Sequence, residues 1–377
     1  MRLTRVDIRN FKGVKEFVCD LPSKGGIAAP LTILVGDNGS GKTSVLQAIA
    51  LVLSLATRKT YNPQVLAWDG FMAERTSSLG PTRVELHVEF DSDEIECVAD
   101  LFPQWVQTRP PEWLQSRPLV APTRHESVTL IYEGGRLSSP QGRAALYQFC
   151  GRYYVATMPW SHLKRRETFS KIGDVFWFDQ HRSLGTTMRL RSPRDIDSAA
   201  ASDRRMDEVV PSATEGWRAG VSLLREDLIR WWGYHTSKPG PTVDYLEELE
   251  TRLGSIFPGT KFIGLRPREA SGDSYFLLAR DGQEYDLAEM SSGEQAVFPL
   301  LYEFIRLNIA KSVVLIDELE LHLHPPQQQA LLRALRRIGP GCQFLLTTHS
   351  PSIEEVTSLE ERLRMEGGRL CPSPSFT

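Results

Sequence analysis

Gly36-Asp37-Asn38-Gly39-Ser40-Gly41-Lys42-Thr43 is the stretch on which the fold turns. It satisfies the spacing G-x-x-x-x-G-K-[ST]. Glycines at 36, 39 and 41 let the backbone wrap so that successive N–H groups point inward, a shape that takes anions. Just ahead lies Leu31-Thr32-Ile33-Leu34-Val35, a short and mostly apolar run that suits a buried strand of a parallel sheet. Just behind, Val45, Ile49 and Leu53 fall four apart and predict a helix from Thr43 to about Leu55 with one packed face. Strand, glycine loop and helix in that order predict an α/β fold.

A second segment completes this reading from far along the chain. Val313-Val314-Leu315-Ile316-Asp317-Glu318 is an apolar strand ending in two carboxylates. The pair predicts a site for a nucleoside triphosphate and Mg²⁺, assembled from both ends of the chain. The phosphates are expected on the backbone from Gly36 through Asp37, Asn38, Gly39, Ser40 and Gly41 to Lys42, Thr43 and Ser44. There the helix N-terminus adds about half a positive charge. Lys42 is expected to reach the β- and γ-phosphates, and Thr43 to ligate Mg²⁺ through its hydroxyl. Asp317 is expected to hold the same ion, directly or through water. Glu318 would face the attacking water as general base. His349 ends the next predicted strand, Phe344 to Thr347, where it can hydrogen-bond the γ-phosphate.

Composition sets the bounds. The 377 residues allow two domains, or one large domain with an insertion. An apolar content of 41% excludes a disordered chain. Net charge is −3, so any nucleic-acid surface has to be a local patch. The five cysteines (Cys19, Cys97, Cys150, Cys342, Cys371) form no C-x-x-C pair, which argues for a reducing, cytoplasmic setting over a zinc site or disulfides. Met1-Arg2-Leu3-Thr4-Arg5 is too polar for a signal peptide. No apolar run approaches the ~20 residues that cross a membrane.

Other elements follow along the chain. Strands are predicted at Leu3–Arg9, Glu16–Leu21, Val84–Phe90, Ser127–Tyr132, Tyr153–Met158 and Asp174–Phe178. The stretch around Pro103, Trp105, Pro110, Pro111 and Trp113 reads as irregular. Ser183 to Ser212 is Arg-rich and reads as a loop; Arg189–Arg205, like Lys164-Arg165-Arg166, could contact phosphates of nucleic acid. Helices are predicted at Glu215–Trp232, Val243–Leu253, Ser291 to about Ile309 with Pro299 inside, and after Pro325-Pro326. No heptad pattern is sustained. The expected division is 1–95 and 285–377 as two halves of one lobe, with 96–284 as a middle region and helical lobe.

With these motifs in order, the chain resembles the ABC-type ATPase superfamily, in its RecF-, SMC- and OLD-like branch. Ile8-Arg9-Asn10-Phe11-Lys12-Gly13 is similar to that branch's opening strand and turn. Met290-Ser291-Ser292-Gly293-Glu294-Gln295 resembles its signature motif, and Asp317 to Pro325 its Walker B segment running into the D-loop. His349 matches the switch histidine. The resemblance covers about residues 1–60 and 285–351. It implies an ABC-type P-loop fold, with a central mostly parallel sheet, an antiparallel β layer and a helical second lobe. It also implies ATP with Mg²⁺ as cofactors, and a head-to-tail homodimer. In that dimer Ser291, Ser292, Gly293 and Glu294 of one subunit close over the ATP of the other. Ser291 with the N–H groups of Ser292 and Gly293 would make a second anion-binding surface at a helix start. A plain helix cap is the competing reading of the same residues. The family's Mg²⁺-sensing hinge glutamine maps to Gln180, and Asn10 and Lys12 would touch the base or ribose.

Two departures narrow the function. SMC-like proteins insert long coiled coils at mid-chain, and none is predicted here. OLD-like nucleases carry a metal-dependent nuclease domain after the ATPase, whereas 28 residues follow His349 and Leu370–Thr377 reads as a tail. The expectation is an ATP-driven switch in a DNA-repair or anti-phage defence complex. The main alternative is a regulatory ATPase holding a separate effector, a nuclease or toxin, without contacting nucleic acid. A transporter's ATP-binding subunit ranks last.

Overall fold

A computed structural model describes residues 1–24, 27–66, 68, 70–77, 80–110, 119–159, 165–180, 213–237, 243–267 and 274–371. Lys164, Trp113 and Pro111, and the Arg-rich stretch from Ser183 to Ser212, lie outside them.

The first strands are β1 (Arg2–Phe11) and β2 (Val14–Asp20), followed by a small hairpin of β3 (Ser23–Lys24) and β4 (Ile27–Ala28). Next come β5 (Leu31–Val35), helix α1 (Lys42–Ala56), β6 (Arg83–Glu89), helix α2 (Ser92–Gln107), β7 (Ser127–Glu133), β8 (Arg136–Ser138), helix α3 (Gly151–Thr157) and β9 (Val175–Phe178). The chain continues through α4 (Ala213–Ser237), α5 (Tyr245–Gly254), β10 (Lys261–Pro267), β11 (Ser274–Arg280), β12 (Gln283–Asp286) and α6 (Ser292–Arg306). It closes with β13 (Val313–Ile316), α7 (Pro325–Ile338), β14 (Gln343–Thr348), β15 (Arg362–Glu366) and β16 (Arg369–Leu370).

Among the described residues, eleven strands form one sheet in the order β8-β7-β6-β1-β2-β16-β15-β5-β14-β13-β9. From β15 to β9 the pairing is parallel; from β8 to β2 it is antiparallel. The mostly parallel core and the antiparallel layer are thus two wings of one sheet. β10, β11 and β12 form a separate antiparallel sheet.

Alternation along the parallel strands feeds two cores. Ile33, Val314, Ile316, Phe344 and Leu346 face the side of α4, α5, α6 and α7. Leu34, Val313, Leu315 and Leu345 face α1, whose other side packs on Val6, Ile8, Val84, Leu86 and Val128 from the antiparallel wing. Helix α1 is therefore buried nearly all round, with Val45, Leu46, Ala48, Ile49, Ala50, Leu51, Val52 and Leu53 all enclosed. The single packed face read from its sequence is half of this; a helix apolar on every side belongs in a core.

Two expectations fail together in one place. Pro110 is irregular as read, and Pro111 and Trp113 are outside the described residues, but Pro103 and Trp105 lie in helix α2, Ser92–Gln107. Asp91 caps it by accepting the Glu94 amide, and Ile95, Val98, Leu101 and Trp105 make its buried face. Pro103 sits on the exposed side, where water can satisfy the carbonyl it leaves open. Tyr153–Met158, read as a strand, lies in helix α3 and the turn after it. It packs on α2 through Tyr154 and Val155, and the Trp105 indole donates to Thr157 Oγ1 at 2.8 Å.

Leu370, read as the start of a tail, closes strand β16. β15 pairs parallel with β5, and the hairpin turn into β16 reaches the back of the glycine loop. The Gly368 amide donates to the Ser40 carbonyl at 3.2 Å, and the Gly368 carbonyl accepts from Lys15 N at 3.3 Å. A Cβ on Gly368 would strike the Gly13 carbonyl oxygen, and one on Gly36 would strike that of Met365. Close backbone approach therefore requires glycine at both positions. Cys371 follows β16, and 372–377 are outside the described residues.

Candidate functional site

The glycine loop leaves the C-terminal end of β5 and enters α1 through Gly41 at φ +98°, a conformation that favours glycine. The first turn of α1 faces the end of β13, two strands away across β14. Thr43 Oγ1 lies 2.9 Å from both oxygens of Asp317. Thr347, near the end of β14, donates from Oγ1 to Asp317 Oδ1 at 2.6 Å and accepts the Glu318 amide at 2.8 Å. One buried threonine thus orients the first carboxylate and anchors the backbone of the second. Glu318 itself has φ +44°, a left-handed geometry that non-glycine residues adopt at a cost and that clusters at functional sites.

Lys42 turns back onto its own loop, donating from Nζ to the carbonyls of Gly36 at 2.7 Å and Asp37 at 3.0 Å. These bonds preform the loop; reaching β- and γ-phosphates requires the amine to exchange them for phosphate oxygens. Burial raises the Asp317 carboxyl above its usual range, while hydrogen bonds from Thr347 and Thr43 and the charge of Lys42 pull the other way.

Beside this pair is a narrow crevice of ≈ 40 Å³ lined by Thr43, Gln47, Trp177, Asp179, Gln180 and Asp317. It places Gln180, just past β9, against the same space as Thr43 and Asp317. The polar groups around it are hydroxyl, amide and carboxylate oxygens, the donor set of a small hard cation. A buried carboxylate raised by desolvation gains most from such a countercharge, so these residues fit Mg²⁺.

The opening turn, expected to touch the base or ribose, is held by contacts within the protein. Lys12 Nζ donates to Gln47 Oε1 at 2.7 Å, on α1, and burial lowers its pKa while Asp317 acts in the opposite direction. Asn10 donates to the Pro81 carbonyl at 3.3 Å.

The signature-like segment faces another way. Ser291 caps α6, accepting the Glu294 amide, and Glu294 reaches back to the Ser291 amide at 2.9 Å, so the helix-cap geometry is present. The Glu294 side chain is buried, and its carboxylate also accepts from the Ser291 hydroxyl at 2.6 Å, Tyr285 OH at 2.6 Å and Arg280 Nη1 at 2.9 Å. Gly293 lies against the His322 carbonyl and Leu323. None of these neighbours belongs to 36–43. Ser291 and Ser292 are exposed at the helix start.

His349 stands past the end of β14 with its ring about half exposed, and the buried Glu320 faces both its amide and its Nδ1. Glu320, Thr347 and Gln47 are site residues that motif reading passed over. The one signal in the sequence was a third acid, at 320, inside an otherwise apolar and histidine-bearing turn.

Comparison with known proteins points to an ATPase. Residues 1–175 match a family model described as "AAA ATPase domain", and residues 166–353 match one described as "AAA domain, putative AbiEii toxin, Type IV TA system". The chain is similar to the "Retron Ec83 probable ATPase" of Escherichia coli, at 22% identity over 99% of this chain and 73% of that protein. It is similar to the "OLD nuclease" of Thermus scotoductus, at 23% identity over 95% of this chain and 61% of that one. A shorter stretch, 16% of this chain and 15% of the relative, is 34% identical to the "Septu protein PtuA" of Bacillus thuringiensis. Among the described residues no helix is long and apolar enough to cross a membrane. Two AAA-type ATPase models together run from residue 1 to residue 353, so the chain is an AAA-type ATPase, similar to the retron and OLD proteins.

Proposed function

We propose that the protein hydrolyses ATP at Gly36–Thr43, Asp317 and Glu318, that two copies close head-to-tail over two ATP molecules, and that this closure switches an anti-phage defence or repair complex. The observation that carries the reading is the meeting of Thr43 with Asp317 while the exposed start of α6 is bonded to other parts of its own subunit. A site with a complete phosphate loop and a signature segment turned elsewhere is half of a composite site.

In this reading the loop amides and the α1 N-terminus bind the phosphates, and Lys42 exchanges its two carbonyl bonds for β- and γ-phosphate oxygens. Thr43 and Asp317, with Gln180 nearby, would hold Mg²⁺, which when bound would supply neutralisation of charge on the phosphates. Glu318 takes the proton of the attacking water. His349 directs its ring toward the γ-phosphate. Ser291 and the N–H groups of Ser292 and Gly293 close the site of the other subunit; Glu294 acts inward, shaping that helix start.

The retron, OLD and Septu names of the relatives support a defence setting with a separate effector protein. A net charge of −3 favours a protein partner over extended nucleic-acid contact. Stimulation of hydrolysis by DNA would reverse that preference. The dimer is tested with Glu318→Gln, which should bind ATP without turning it over and elute with ATP at twice the mass of the chain. An unchanged mass with bound ATP contradicts closure.

A further inference from the structure

The turn after β13 and the end of β14 are fastened to each other. Leu319 N donates to the Thr347 carbonyl at 3.2 Å and Glu318 N to the Thr347 hydroxyl at 2.8 Å. The last tie is Glu320. Its side chain is 6% exposed, and Oε1 accepts the His349 amide at 2.6 Å and faces His349 Nδ1 at 3.0 Å. Oε2 is buried with no hydrogen-bond partner among the described residues. The His349 ring remains 47% exposed, so one edge is held and the rest is free to meet a ligand.

A buried carboxylate with one oxygen unpaired is expensive for a fold that only needs to satisfy an amide. The expense is explained if the carboxylate acts on the ring. A proton on Nδ1, 3.0 Å from Glu320 Oε1, would leave the lone pair on Nε2, and a ring flip would give up that contact. We propose that Glu320 is the positioning residue of His349: it selects the Nδ1–H tautomer, fixes the ring plane and presents Nε2 to the γ-phosphate and attacking water. Through the same turn it keeps the histidine in register with Glu318. The inference rests on hydrolysis at the Asp317–Glu318 site.

The test is a double-mutant cycle on ATP turnover with Glu320→Ala, Glu320→Gln and His349→Ala, joined to ¹⁵N imidazole spectra of the nucleotide-free protein. Glu320→Ala should lower kcat about tenfold or more while the KM for ATP stays within about twofold. Glu320→Gln, which keeps an acceptor oxygen, should recover much of the loss. In the His349→Ala background, Glu320→Ala should cost less than about twofold, because its route is already cut. The resonance that disappears in His349→Ala should report Nδ1–H in the wild type and a mixed tautomer in Glu320→Ala. Equal losses in both backgrounds, or an unchanged tautomer, overturn the role of Glu320 while leaving hydrolysis intact. If Glu320→Ala does not fold, Glu320→Met, which keeps the volume and removes both acceptor oxygens, carries the same cycle. A wild-type chain without turnover would instead overturn the hydrolysis reading beneath it.

Discussion

Thr43 and Asp317, 274 positions apart in the chain, are joined by contacts of 2.9 Å from the threonine hydroxyl to each carboxylate oxygen. One residue lies in the first turn of α1, which follows β5, the other follows β13 directly, and β14 lies between those two strands. The order of strands in the sheet therefore creates the site: parallel neighbours present their C-terminal ends on one edge, where ligands of open α/β sheets bind.

The crevice beside that pair makes a prediction about metal. Gln180→Ala should raise the Mg²⁺ concentration for half-maximal turnover about tenfold and leave metal-free nucleotide binding unchanged. Titrating Mg²⁺ at saturating ATP measures it. An unaltered Mg²⁺ dependence would place Gln180 outside the metal's surroundings.

The C-terminal hairpin makes a prediction about the phosphate loop. Gly368 has φ +78° and its Cβ position is taken by the Gly13 carbonyl oxygen. Gly368→Ala should cost about 1–3 kcal/mol. Because Gly368 N also holds the Ser40 carbonyl, ATP affinity should fall with the melting temperature. A melting curve and an ATP titration of the same sample decide this; a stability loss with unchanged affinity would show that the hairpin does not brace the loop.

Arg152 predicts a stability effect far from nucleotide. It is buried, and its guanidinium donates to the carbonyls of Ile172 at 3.2 Å, Leu307 at 2.9 Å, Phe169 at 3.1 Å and Asn308 at 2.9 Å. It thereby ties the end of α6 to the segment before β9. Arg152→Met fills similar volume but abandons four acceptors, which should destabilise the protein by roughly 3 kcal/mol or more. Urea unfolding would register this as a lower midpoint, and a midpoint within experimental scatter would contradict it.

Legibility in the sequence followed the range of the interactions. β5, the glycine loop, α1, β13, α6 and β14 could be read because apolar runs and local motifs specify them within a few residues. Trp105 and Tyr154 could not, since what makes their segments helical is that they pack on each other across a distance in sequence. The strand at Arg362–Glu366 was missed because its partner is β5, at the other end of the chain. The three-stranded sheet of β10 to β12 was hidden by Gly264, which lies buried where Trp232 leaves no room for a Cβ. At the site, Asp317 and Thr43 stood out by motif. Glu320 and Thr347 did not, because their meaning depends on two strand ends lying side by side.

The central claim is that each ATP site is shared between two subunits, and mixing two inactive variants tests it most directly. Lys42→Ala removes the phosphate-loop amine, and Ser291→Arg blocks the signature surface. Each alone should be nearly inactive. Combined in equal amounts, they should recover about a quarter of wild-type turnover, because half the dimers are mixed and each mixed dimer has one intact site of two. No recovery, with mixed dimers shown to form, would contradict a site completed in trans.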